Sequence, residues 1–136
     1  MALAACGSDP APEPVEQIVV REPGAAPAPV EAAGDIVAAG RKAFAMCTGC
    51  HVAKAGEPSA AGPNLYGVVG RAAGSLDDFA YSEELAGSGI TWDAASLDRY
   101  LADPQAAVPG TSMSAGAVPD DDRRAAIIAY LETLRE

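Results

Sequence analysis

A chain of 136 residues and 13.7 kDa has room for one domain. Its 9 basic and 19 acidic residues give a formal charge of −10, which repels nucleic-acid phosphates and anionic lipid headgroups. No run of 18 apolar residues can form a spanning helix, and three Cys are too few for a disulfide scaffold.

Residues 1–6 end in Leu3-Ala4-Ala5-Cys6, which resembles the close of a bacterial lipoprotein signal, where the cysteine is acylated after cleavage. On that reading residues 1–6 are a signal remnant and Cys6 is the lipidation candidate. The protein would then sit on the periplasmic side of an inner membrane. An incidental free cysteine in an alanine-rich leader is the competing reading. Residues 7–34 hold six prolines, five acids, one base and no aromatic residue. Such a composition buries too little apolar surface to fold, so the segment reads as a flexible linker, with Ile18-Val19-Val20 its only hint of order. As a coil it would span about 30 Å and could tether a membrane-anchored domain.

Residues 35–136 read as one all-α domain. The first helix is expected from about Asp35, as N-cap, towards Cys47, with Ile36, Val37, Gly40, Ala43 and Phe44 at helical spacing. Gly- and Pro-punctuated loops follow, with one helical turn around residues 82–86. A second helix starts near Thr91 to Asp93, carries Leu97, Tyr100 and Leu101, and stops at Pro104. A third opens at Pro119 with Asp120, Asp121 and Asp122, charges that suit a helix N-terminus. It places Ala126, Ile127, Tyr130, Leu131 and Leu134 on one face. From Asp35 onward there are only 26 large apolar residues in 102. That supply is thin against the ordering entropy of the backbone. Either much of the chain is disordered, or something other than side chains fills the interior.

Cys47-Thr48-Gly49-Cys50-His51 supplies a candidate filling. Cys-x-x-Cys-His is the haem attachment pattern of c-type cytochromes. Two thiols three residues apart at a helix end project to the same side and can add to the two vinyl groups of one porphyrin edge. His51 then reaches beneath the ring to ligate iron, while small Thr48 and Gly49 let the backbone lie close. A thioredoxin-like redox pair would sit in a βαβ context, and no strands are readable here. A structural zinc site needs four ligands, and beyond Cys47, Cys50 and His51 only distant Cys6 remains.

The sixth ligand follows by elimination. His51 is the only histidine, which excludes bis-histidine ligation within one chain. Of three methionines, Met1 is the initiator and Met46 abuts Cys47 on the attachment side, leaving Met113 after the Pro109-Gly110 turn. A loop or core-filling methionine is the bland reading of Met113. As a ligand, its thioether favours Fe(II) and raises the reduction potential. Two strong axial ligands leave no open position for substrate, which argues for electron transfer over catalysis.

The stretch from about Asp35 to Arg135 resembles a class I cytochrome c of the mitochondrial and bacterial cytochrome c2 type. The matching segments beyond the attachment motif are Gly62-Pro63-Asn64-Leu65, Gly70-Arg71-Ala72-Ala73-Gly74, Phe79-Ala80-Tyr81-Ser82, Gly89-Ile90-Thr91-Trp92, Pro109-Gly110-Thr111-x-Met113 and Ala126-Ile127-Ile128-Ala129-Tyr130-Leu131. The resemblance implies three main helices plus short helical turns and loops wrapped around one haem c, held covalently by Cys47 and Cys50. It implies that the Pro63 carbonyl accepts the Nδ1–H of the ligating His51. By the same resemblance Arg71, Tyr81 and Trp92 hydrogen-bond a buried propionate. Tyr100 contacts the methionine sulfur, and Thr111 lies near the other propionate. Gly40, Phe44, Ile127 and Tyr130 match the crossing of the first and last helices.

Departures from the family concern its surface. Lys42 and Lys54 are the only lysines, and Met46 and Ser112 stand where lysine is common. Ala115 replaces a frequent aromatic, and Leu85 takes a polar position near the propionates. The expected function is one-electron shuttling between respiratory or photosynthetic membrane complexes, such as a quinol-oxidising complex and a terminal oxidase, by a monomer docking on basic or weakly charged partner surfaces. Gas binding or peroxidase activity through a labile Met113 is the alternative. A fixed electron-entry subunit of a larger complex is another. With haem in place, Leu65, Trp92, Leu97, Tyr100 and Ile127 become cavity walls.

Overall fold

The computed structural model describes residues 30–135. Cys6 and the segment 7–29 lie outside the described residues. Helix α1 spans Val30–Ala43, so it begins five residues before the expected Asp35 cap and takes in the end of the stretch read as linker. After Pro29 the chain offers Val30-Glu31-Ala32-Ala33, with no further proline and two strong helix formers, and nothing opposes helix there. Arg41 and Lys42 close α1 with charge that complements its dipole. A 3₁₀ turn, Phe44–Met46, tightens the chain immediately before Cys47.

Helix α2 is the single turn Glu83–Ala86, capped by Ser82, as the sequence led us to expect. Helix α3, Ala94–Ala102, opens with a reciprocal capping box between Asp93 and Ser96. Pro104 does end α3, but it also begins a further helix, α4 (Pro104–Ala107), in which Asp103 is the N-cap. Proline at the first helical position lacks an N–H that would have been unpaired anyway, so one residue serves as stop and start. Helix α5 is Asp121–Thr133, with Asp120 accepting from the Arg123 N–H at 2.7 Å. Among the described residues the only β pairing is an isolated antiparallel bridge between Ala72 and Thr91, and the domain is all-α.

The frame is the crossing of α1 over α5, with α3 packed on α5 beside it. Gly40 sits at the crossing: a Cβ there would fall on the Ala126 carbonyl, 2.6 Å from its carbon and 2.9 Å from the Tyr130 Cβ. Phe44 and Tyr130 flank the contact with ring centroids 5.3 Å apart, and Ile127, the next residue after Ala126, is 1% exposed and lines the cavity. Helix α5 buries Arg124, Ile127, Ile128 and Leu131, which at i, i+3, i+4 and i+7 share one face, with Ala126 buried beside them at the crossing with α1. Arg124 is 6% exposed; it donates to Asp98 Oδ1 at 2.8 Å and to the Val118 and Pro119 carbonyls at 2.8 and 2.9 Å. It therefore ties the start of α5 to α3 and to the loop that precedes α5. Opposite this frame, loop residues 52–81 and 108–118 enclose a cavity.

Candidate functional site

The cavity has about 1310 Å³ of open space, its mouth included. Its walls are the expected Leu65, Trp92, Leu97, Tyr100 and Ile127. All ten described residues singled out from the sequence line it: Cys47, Cys50, His51, Pro63, Arg71, Tyr81, Trp92, Tyr100, Thr111 and Met113.

The attachment motif is a continuation of the first helix. The Cys47 carbonyl accepts from the N–H of Cys50 at 3.1 Å and of His51 at 2.9 Å. This curl turns the Cys47 and Cys50 thiols and the His51 ring to the same cavity. Both thiols are free, Cys47 half-buried and Cys50 exposed. Burial pushes the Cys47 thiol above its ordinary value, and the nearby Arg123 charge partly offsets this.

His51 is positioned from two directions. Its Nδ1 lies 2.8 Å from the Pro63 carbonyl oxygen, which accepts and cannot donate. This bond needs the proton on Nδ1, and in that tautomer of the neutral imidazole Nε2 is the nitrogen with a lone pair to offer. Gly62 packs flat under the ring, where a Cβ would come within 2.5 Å of Cε1. The Gly62 N–H also donates to the Cys50 carbonyl at 2.7 Å, tying the loop back to the motif. Buried Asn64 holds the same loop from within, donating to the Lys54 and Glu57 carbonyls at 2.8 and 2.7 Å.

Arg71 donates to the Asn64 and Tyr66 carbonyls at 2.8 and 3.0 Å. These bonds use two of its five N–H groups and leave three for an anion. Burial holds its guanidinium below the usual value, countered by Tyr81 and Asp78. Burial likewise raises the Tyr81 hydroxyl, against the Arg71 charge. Trp92, 7% exposed, stacks at a tilt on Tyr100 with centroids 5.0 Å apart.

Met113 enters the cavity from the 108–118 loop. The Tyr100 hydroxyl and Thr111 Oγ1 are hydrogen-bonded to each other at 2.7 Å. Gly116, at φ +91°, passes so close that a Cβ would lie 2.9 Å from the Met113 methyl. Sequence reasoning missed Gln105, whose amide reaches this loop, and the holding role of Asn64. Asn64 was in plain view within Gly62-Pro63-Asn64-Leu65, since a polar side chain in a loop that lines a cavity needs internal partners.

Chemically, the donor set is one imidazole nitrogen, one thioether and two thiols around an apolar space with a single cation, Arg71. Among the described residues no three His, Cys, Asp or Glu are grouped to hold a metal ion by themselves. An apolar ring carrying its own metal ligands, two sites for thiol addition and acidic substituents fits this lining; haem c is such a group.

Comparison with known proteins agrees. The cytochrome c family profile matches residues 37–135. Cytochrome c2 iso-2 of Magnetospirillum fulvum is 46% identical over 92 residues, 68% of this chain and 95% of that protein. Cytochrome c2 of Rhodoblastus acidophilus is 41% identical over 97 residues, 71% of this chain and 91% of that one. The structure of cytochrome cH from Methylobacterium extorquens superposes with a TM-score of 0.67 at 48% identity, covering 71% of this chain and 97% of that one. The chain belongs to the cytochrome c family with a class I fold, and it is an electron carrier rather than an enzyme, its haem c attached through Cys47 and Cys50.

Proposed function

We propose that this protein shuttles single electrons between membrane-bound redox complexes with His51 and Met113 as the axial ligands of its haem. The observation that carries the ligand assignment is the 2.8 Å bond from His51 Nδ1 to the Pro63 carbonyl, which leaves Nε2 as the free nitrogen. Met113 lines the same cavity from the other loop, while Met46, 45% exposed, stands beside Cys47 at the mouth. When bound, the haem supplies a one-electron iron couple. The chain's own residues do the rest. The His51–Pro63 bond fixes the tautomer and raises ligand basicity. The apolar walls would keep water from the ring, Arg71, Tyr81 and Trp92 would hold one propionate, and Thr111 would serve the other.

Docking uses the cavity mouth. Met46, Ala61, Ser112, Ser114 and Ala115 line it and bring no charge, while the chain as a whole carries −10. A basic or weakly charged partner surface suits that combination. The donor would be a quinol-oxidising complex and the acceptor a terminal oxidase, with this protein acting as a monomer on the periplasmic side of a bacterial inner membrane. Acylation of Cys6 and a tether through residues 7–29 would raise its effective concentration near both partners.

A redox titration of haem-loaded protein with stopped-flow exchange tests the reading. It requires a reversible one-electron wave at a potential that falls in Met113→Leu, and exchange with a basic partner that slows as salt rises. A potential indifferent to Met113, or rates that rise with salt, would contradict it.

A further inference from the structure

Loop 108–118 carries Met113 but has few backbone ties of its own. At one end the Thr111 N–H donates to the Val108 carbonyl at 3.0 Å, and at the other the Val118 N–H donates to Leu101 at 2.7 Å. Between them, Met113 has a 3.5 Å approach from its N–H to Thr111 Oγ1. Gln105 supplies what the backbone does not. Its side-chain amide donates to the Thr111 carbonyl at 2.8 Å and reaches the Met113 carbonyl at 3.4 Å. A carboxamide NH₂ has two hydrogens, which matches these two acceptors. The side chain starts from α4, a turn fixed by Pro104 at its first position and by the Asp103 carboxylate, which accepts from the Ala106 N–H at 3.0 Å. One amide thus spans from a preorganised turn to both ends of the Thr111–Met113 segment.

We propose that Gln105 is a positioning residue that holds Met113 against the haem iron and so limits access of competing ligands to that side. The proposal rests on Met113 being the axial ligand. Competition by an external ligand reads the same equilibrium, because the apparent affinity of that ligand scales with the fraction of molecules in which Met113 has let go. Losing one net hydrogen bond of about 1 kcal/mol changes this fraction roughly fivefold. The weaker 3.4 Å contact adds little to that.

The experiment titrates ferric haem-loaded protein with imidazole by absorbance, comparing wild type with Gln105→Ala, Gln105→Glu, Ala107→Gly and Met113→Leu. Each result is taken as a ratio to wild type at the same pH, so protonation of imidazole itself cancels. Gln105→Ala should bind imidazole roughly fivefold more tightly. Gln105→Glu should exceed that at neutral pH, where a carboxylate can only accept and faces two carbonyl oxygens. Its ratio should then fall towards one as acid protonates the carboxyl and restores a donor. Ala107→Gly weakens α4 without touching the amide; it should lower the urea midpoint and leave the imidazole ratio near one.

Three outcomes would overturn the proposal: both Gln105 variants binding as wild type does, Ala107→Gly matching Gln105→Ala, or a Gln105→Glu ratio that ignores pH. Met113→Leu separates these from a failure of the ligand reading. If it raises imidazole affinity while the Gln105 variants do not, only the brace is lost; if it changes nothing, the ligand assignment falls and the brace with it.

Discussion

Gly40→Ala and Gly34→Ala make the same substitution in the same helix, and the structure predicts opposite signs. At Gly34 a Cβ meets nothing within 4 Å among the described residues, so alanine gains helix propensity of up to about 1 kcal/mol. At Gly40 the new carbon would sit 2.6 Å from the Ala126 carbonyl carbon. Ordinary contact begins near 3.4 Å, and the Ala126 carbonyl oxygen lies closer to the new carbon than the carbonyl carbon does, so α1 and α5 must part by well over about 0.8 Å. The obstacle is backbone and cannot rotate away. Parting the helices loosens Phe44 against Tyr130 and the packing over Ile127, which puts the cost near the upper end for overpacking, about 3 kcal/mol. Subtracting a propensity gain of about 1 leaves a net loss of about 2 kcal/mol. At roughly 4–8 °C per kcal/mol for a domain of this size, the midpoint falls by roughly 8–16 °C in Gly40→Ala and rises by no more than roughly 8 °C in Gly34→Ala. Thermal unfolding of the haem-loaded proteins, followed by far-UV circular dichroism, gives both numbers. A Gly40→Ala midpoint at or above wild type would refute the crossing as the support of this fold.

Other consequences concern charge and core. Without haem attachment, as in Cys47→Ala/Cys50→Ala, much of the apolar lining loses its partner, and the chain should lose most of its helical dichroism; cooperative unfolding at wild-type denaturant concentrations would contradict this. Arg124→Ala should lower the thermal midpoint well beyond Arg123→Ala, because it strands the Val118 and Pro119 carbonyls and Asp98 while Arg123 is exposed; equal midpoints would contradict it. The Ser59 N–H, then the Ser59 hydroxyl, hold the Asp78 carboxyl below its ordinary value. A depressed folded-state value stabilises above the unfolded value and is lost as pH falls through the folded one. The stability advantage of wild type over Asp78→Asn should therefore be full near pH 6 and decline as the pH falls below the ordinary carboxylate value in urea titrations; an advantage unchanged by acid would contradict it.

The sequence was most legible where chemistry demands fixed spacing. Cys47, Cys50 and His51 have one attachment geometry, and the shortage of large side chains already called for a foreign body in the core. The Asp93 start of α3 could be read because it is a local signal, whereas the crossing glycine came only with the family resemblance. What escaped was set by tertiary context. Asp35 looks like a cap, yet alanines upstream carry α1 back to Val30. Pro104 reads as a stop, and only the Asp103 side chain turned over the next residues makes it a start. Arg124 looks like a surface residue of an acidic-capped helix; its burial depends on carbonyls and a carboxylate brought together by folding. Gln105 carries no motif at all, since its acceptors are backbone carbonyls six and eight residues on.

The most direct test of His51/Met113 electron carriage is the near-infrared spectrum of the ferric haem-loaded protein beside that of Met113→Leu. A sulfur-to-iron band at neutral pH in wild type, absent from the variant, is the result this account predicts. A wild-type spectrum without the band, or a band that survives in Met113→Leu, would contradict it.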